Sequence, residues 1–254
     1  MSQCADRTAG TSLSPHCQRR TPKRQTSTME PLSDQSVQSY LQHLGASECS
    51  EPTLDYLDRL IRAHLERVTF ENLDVLLERR ISLDAEVILG KVTGSGRGGY
   101  CYELNSLFAC LLLALGYGVR LRAARLRITT PDDSPVRTRL SHMLLLVEPT
   151  DGQRYIVDVG MVQCGLHRAL PLEGDATPFR VRSLAETEAL EVALPTSDGG
   201  WKAVYVVEPY DLDWLDFGTF NLVLVDPPGQ LDAAPPLGGT PIVRGRRLLA
   251  AARE

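Results

Sequence analysis

Three side chains of this 254-residue chain have the types that nucleophilic acyl chemistry requires: the thiol of Cys101, the imidazole of His142 and the carboxylate of Asp158. Such chemistry needs a nucleophile, a base within hydrogen-bond reach and a group that orients the base. In that scheme His142 takes the thiol proton and holds the sulfur as thiolate, while Asp158 accepts from the other ring nitrogen and fixes the tautomer. None of the three is informative alone. A free cysteine is usually a small buried hydrophobe, and Cys110, set among leucines, is read that way. Cys101 has a different setting. It follows Gly98-Gly99, which lets backbone approach a ligand closely, and its neighbours are polar or aromatic.

The elements that must position these groups follow from periodicity. Leu104, Leu107, Phe108, Leu111, Leu112 and Leu115 recur along one helical face, and Gly116 supplies a stop. Cys101 therefore falls in the first turn of a buried helix, where free N–H groups and the positive dipole end favour a thiolate. Upstream, Val37, Tyr40, Leu41 and Leu44 mark a helix capped by Ser33 and stopped at Gly45, and a second helix starts at Thr53. His64 rides the apolar face of that second helix and is read as a packed histidine. Asp84 caps a short helix to Leu89. After Gly116 the pattern turns to strands: Val119 to Ile128, Leu140 to Val147, Tyr155 to Val159, Leu190 to Leu194 and Ala203 to Val207. Asp151-Gly152 is a hairpin signal joining the strand of His142 to that of Asp158. A bulge is needed to set which face each side chain takes.

Composition bounds the rest. The chain is 43% hydrophobic and 23% charged, with a net charge of −5, which gives no general attraction to nucleic acid or anionic membrane. Six cysteines without CxxC spacing disfavour a disulfide framework or a zinc site and point to a reducing, cytoplasmic setting with no metal. No apolar run approaches the ~20 residues of a membrane span. Residues 1–28 are basic and rich in Ser and Thr, the composition of a disordered tail. Arg120, Arg122, Arg125, Arg127, Arg137 and Arg139 crowd one region. They fit a solvated strand face or a patch for phosphates.

Arg97-Gly98-Gly99-Tyr100-Cys101-Tyr102-Glu103-Leu104-Asn105 resembles the Arg-Gly-Gly-x-Cys-x-Glu-x-Asn signature of the arylamine N-acetyltransferases at every fixed position. The resemblance continues through Phe70-Glu71-Asn72-Leu73, Ser141-His142-Met143 and Tyr155-Ile156-Val157-Asp158-Val159-Gly160. It implies an α+β fold with a cysteine-protease-like catalytic core: a helical domain over 29–116 ending in the nucleophile helix, an antiparallel β-barrel-like domain over 117–200, and a shortened C-terminal α/β lid over 201–254. It implies Cys101, His142 and Asp158 as catalytic, and acetyl-coenzyme A as co-substrate in a ping-pong transfer to an aromatic amine or hydrazine, as in xenobiotic metabolism. Phe70, Tyr102, Gly160, Met161 and Val162 are the implied substrate contacts. Glu71 and Arg97, with Gly98 and Gly99, would support the turn as a buried ion pair. The family usually has Phe-Gly where this chain has Met161-Val162. That departure and the shortened end support a second reading, a catalytically impaired paralogue acting as a small-molecule or protein binding module, and the same three chemical roles also fit a transglutaminase- or cysteine-peptidase-like acyl transferase.

Overall fold

A computed structural model describes residues 29–49, 51–77, 79–127, 139–161, 166–176 and 178–225. The basic tail, Arg137, Val162 and the chain beyond Val225 lie outside them. Six α-helices are described: α1 (Asp34–Leu44), α2 (Leu54–Arg67), α3 (Leu73–Leu76), α4 (Ala85–Leu89), α5 (Cys101–Ala114) and α6 (Trp214–Val225). Their ends follow the capping chemistry. Ser33 Oγ accepts from Ser36 N–H at 3.2 Å and Gly45 closes α1 at φ 65°. Thr53 and Asp84 cap α2 and α4 in the same way. The chain leaves α4 through a single π-helical turn, Gly90–Gly94.

Helix α5 is buried on all sides from Cys101 to Leu112, not along one apolar face. Its polar residues are therefore inside, and the Tyr102 hydroxyl is buried there without a hydrogen-bond partner. Ser106 Oγ meets the Met143 sulfur at 3.7 Å, and Glu103 and Asn105 belong to the site described below.

Eight strands form one antiparallel sheet: β1 (Gly118–Leu126), β2 (Leu140–Glu148), β3 (Tyr155–Val157), β4 (Leu170–Pro171), β5 (Gly174–Ala176), β6 (Phe179–Ser183), β7 (Leu190–Pro195) and β8 (Trp201–Val207), in the order β4-β3-β2-β1-β8-β7-β6-β5. The two edge strands are successive in the chain. Three Cα steps from Pro171 to Gly174 span at most about 11 Å, so the sheet curls until its edges meet, and β4 touches both β5 and β6. The result is a nearly closed barrel. Strand alternation divides β2 between two cores. Met143, Leu145 and Val147 pack with the helices, whereas Leu144 and Leu146 pack inside the barrel with Ile156, Val192 and Tyr205.

Candidate active site

The turn before Cys101 is shaped by close backbone approach. Phe70 and Gly99 form a parallel bridge, with Glu71 N–H donating to Gly99 C=O at 2.9 Å and Gly99 N–H to Thr69 C=O at 3.3 Å. A Cβ on Gly98 would stand 1.5 Å from the Thr69 oxygen. Only glycine fits.

Five charges lie behind this turn. Arg97 bonds Glu71 at 2.6 Å and Asp74 at 3.1 Å, and Lys91 bonds Asp74 and Glu103, each at 2.7 Å. Burial works against ionised Asp74, but hydrogen bonds from Lys91 and Arg97 outweigh it and hold the carboxyl below its usual range. For Glu103 burial wins and the carboxyl is pushed up. Glu103 Oε2 also accepts from Tyr100 N–H at 3.1 Å, closing the first turn of α5. The expected Glu71–Arg97 contact is present, widened by Asp74 and Lys91.

Cys101, His142 and Asp158 come together, exposed by 7%, 2% and 1%. His142 lies on β2, one residue past a register shift: it pairs with Ala124 while Leu140 pairs with Arg125, so Ser141 is the extra residue. The ring is in phase with Leu144 and Leu146 and lies 5.6 Å from the Tyr205 ring. Asp158 is just past the end of β3, not on a strand, because side chains capture the backbone there. Asn105 Oδ1 accepts from Val159 N–H at 3.0 Å, and Asp158 Oδ1 accepts from Gly160 N–H at 2.9 Å, an Asx turn. Asp158 Oδ2 lies 2.6 Å from His142 Nε2. The Cys101 thiol neighbours the ring and interacts with it electrostatically, and it lies 3.8 Å from the Ser141 carbonyl, to which it donates. With Nε2 engaged by Asp158, Nδ1 is the nitrogen left for sulfur. Burial opposes the imidazolium, but the Asp158 charge and hydrogen bond, together with Cys101, outweigh it and push His142 up to about 10.

Asn105 is a site residue that the sequence reading quoted within the motif but gave no role. One turn along α5 from Cys101, it donates to Asp158 Oδ1 at 3.0 Å and to Met143 C=O at 2.7 Å. The i, i+4 spacing was the available signal. Of the expected substrate contacts, Phe70 is half-buried, and Tyr102 is fully buried against Tyr100 and Phe217. Gly160 lies directly against Cys101, and Met161 packs in the barrel core. Val162 is outside the described residues. Of the crowded arginines, Arg120 and Arg122 pair with Asp211, and Arg125 with Glu208. These three are matched within the fold.

Among the described residues no helix is long and apolar enough to cross a membrane. A family model described as N-acetyltransferase matches residues 53–250. An arylamine N-acetyltransferase / N-hydroxyarylamine O-acetyltransferase of Salmonella typhimurium is 41% identical over 124 residues, 49% of this chain and 43% of that protein. The arylamine N-acetyltransferase of Mycolicibacterium smegmatis is 31% identical over 173 residues, 65% of this chain and 62% of that protein. The chain thus spans less than two thirds of either relative. The structure of Mycobacterium marinum arylamine N-acetyltransferase in complex with CoA matches with a TM-score of 0.68 at 29% identity, covering 74% of this chain and 71% of the other. A buried Cys-His-Asp constellation on this barrel-and-helix frame, and these likenesses, agree: the chain belongs to the arylamine N-acetyltransferase family.

Proposed function

We propose that the protein is an acetyl-coenzyme A-dependent arylamine N-acetyltransferase working by a ping-pong cycle. The observation that carries the reading is the buried cysteine beside a buried imidazole whose Nε2 lies 2.6 Å from a carboxylate. In the resting pair His142 is imidazolium and Cys101 thiolate. The thiolate attacks the thioester carbonyl, the bond from acetyl carbon to coenzyme A sulfur breaks, and His142 protonates the departing coenzyme A thiolate. An aromatic amine or hydrazine then attacks the acetyl-Cys101 carbonyl, neutral His142 takes the amine proton, and Cys101 leaves as thiolate. The starting pair is restored.

Each half passes through an oxyanion, for which the first-turn N–H groups of Cys101 and Tyr102 are the natural donors. Asp158, held by Asn105 and Gly160 N–H, keeps the ring oriented. Phe70 and the Gly160 backbone are assigned to the acetyl and acceptor groups, with Tyr102, Met161 and Val162 as further contacts. Glu71, Arg97, Gly98 and Gly99 support the turn. The CoA-bound relative supports acetyl-coenzyme A as donor. A nucleophilic thiol, beside the unpaired Cys49 and Cys110, suits the reducing cytoplasm, and the acceptor class suits xenobiotic metabolism.

Mixing the protein with acetyl-coenzyme A and an aniline should release coenzyme A in a burst of about one equivalent. Mass spectrometry should place the acetyl group on Cys101, and Cys101→Ala should lose both signals. An unacetylated Cys101 in the wild type refutes the reading.

A further inference from the structure

We infer that Asn221 is a positioning residue for the nucleophile: from α6 it holds the Tyr100 phenol, and with it the turn that presents Cys101 and its backbone N–H. The inference rests on the reading of Cys101 as nucleophile and adds to it a residue outside the triad and its signature.

Tyr100 immediately precedes Cys101 and caps α5. Its N–H donates to Glu103 Oε2 at 3.1 Å and its C=O accepts from Leu104 N–H at 3.0 Å. Both bonds stay within the first turn, so they set its shape but not its seat in the molecule. The buried phenol reaches further. It donates to Asn221 Oδ1, while Asn221 Nδ2 donates to Ile81 C=O at 3.1 Å. A carbonyl can only accept, so the Ile81 contact fixes the amide with its oxygen toward the phenol. One turn earlier on α6, Phe217 meets the Tyr102 ring edge-on at 5.5 Å, and the Tyr100 and Tyr102 rings are 5.2 Å apart. Helix α6 thus grips the residues on either side of Cys101. The Tyr102 hydroxyl has no hydrogen-bond partner, so its half of the grip is packing, and the directional tie is the Tyr100–Asn221 bond. The helix has backing of its own. Leu212 N–H donates to Leu121 C=O at 3.2 Å just before it, and α6 touches β2, the strand of His142. Asn221 therefore registers the nucleophile turn against an element that also contacts the strand of the base. Because the Tyr100–Cys101 peptide is one rigid plane, a shift of Tyr100 also tilts the Cys101 N–H assigned to the oxyanion.

The test is a double-mutant cycle on the rate at which p-nitrophenyl acetate acetylates Cys101, read at its peptide by mass spectrometry. The thiolate displaces p-nitrophenolate and keeps the acetyl group, so the probe needs no coenzyme A site. Tyr100→Phe and Asn221→Leu remove the same bond from its two ends. A displacement of about 1 Å near the reacting atoms costs about 100-fold, and loss of one tether should cost less, about 10-fold in each variant. The double variant should be no slower than either single, because the bond can be lost only once. Thermal melts are recorded beside the rates, which are taken well below the melting temperatures. A merely structural bond would lower the melts and leave the rates alone. Should Asn221→Leu fail to fold, Tyr100→Phe, which deletes one oxygen, decides the matter alone. A wild-type rate in Tyr100→Phe, or a double variant slowed by the product of the two singles, overturns the inference. Wild type is run with acetyl-coenzyme A in parallel. Acetylation by the ester but not by the thioester refutes the acetyltransferase reading and leaves the cycle measurable, whereas a Cys101 that neither donor acetylates overturns both.

Discussion

An ideal Cβ placed on Gly160 would stand 2.7 Å from Cys101 Cα, 2.7 Å from Asn105 Nδ2 and 3.0 Å from Cys101 Cβ. The first of these is backbone of a helix buried on all sides, which cannot yield cheaply. The second is the amide that holds Asp158. Steric exclusion at Gly160 and electrostatic order at Asp158 are thus one arrangement, since Gly160 N–H also donates to Asp158 Oδ1 at 2.9 Å. Gly160→Ala should cost about 1–3 kcal/mol of stability through overpacking. Because a shift of about 1 Å near the reacting atoms can cost about 100-fold, kcat should fall more than stability explains. Stopped-flow release of coenzyme A beside a thermal melt checks this. A Gly160→Ala protein with native kcat would show that the contact with Cys101 is dispensable.

Among the elements, the turn from the π-helical segment into α5 depends on ion pairs from outside the helix. Glu71 is 4% exposed and its two oxygens are divided, Oε1 to Arg97 and Oε2 to Leu73 N–H at 2.9 Å. Removing Arg97 strands that carboxylate. Its loss should cost less than the ~3–5 kcal/mol of a fully buried broken pair, because Arg97 is partly solvated and Lys91 remains 3.7 Å from Glu71. Arg97→Ala should therefore lower the melting temperature by several degrees while leaving KM for the amine nearly unchanged. A soluble variant that melts like wild type would refute the supporting role. Much of this level was legible in the sequence. Ser33, Thr53 and Asp84 announced helix starts, and Gly45 and Gly116 announced stops. The spacing about Asp151-Gly152 put His142 and Asp158 on neighbouring segments and signalled the need for a bulge. What stayed hidden was set by distant contacts. β4 and β5 are two and three residues long and contain Pro171 and Gly174, so local pattern argues against them and only the closing sheet makes them strands. Asp158 sits off its strand because Asn105, 53 positions earlier, takes the backbone N–H that a ladder would use. Lys91 carries no motif, and its ion pairs with Asp74 and Glu103 are made from a π-helical turn that periodicity does not reveal.

Over the whole molecule, two buried histidines titrate in opposite directions and together shape stability against pH. His64 Nδ1 and the Tyr40 hydroxyl share a hydrogen bond of 2.7 Å, and the ring packs against Phe108. Burial, then the positive charge of His43, lowers it to about 3. His142 is raised to about 10, the Asp158 charge and hydrogen bond outweighing burial. For His64 the unfolded chain binds the proton first. Its contribution is present above the ordinary histidine pKa of about 6.5 and is lost as pH falls from there toward 3, by up to about 1.4 kcal/mol per unit. For His142 the folded state holds the proton, so stability is full below about 6.5 and is lost as pH rises toward 10. Acid and alkaline limbs therefore belong to different cores, the helical one and the site. The acid limb can be isolated by replacing both partners with apolar side chains. His64→Leu alone strands the Tyr40 hydroxyl and should cost about 1–3 kcal/mol at neutral pH. Tyr40→Phe/His64→Leu should recover much of that loss. It should also shed the loss of about 2 kcal/mol that His64 imposes on wild type between pH 6.5 and 5. Denaturant unfolding at the two pH values measures both quantities. Equal pH slopes in the double variant and wild type would mean that acid sensitivity arises elsewhere, while the alkaline limb, which depends on His142, should be the same in both proteins.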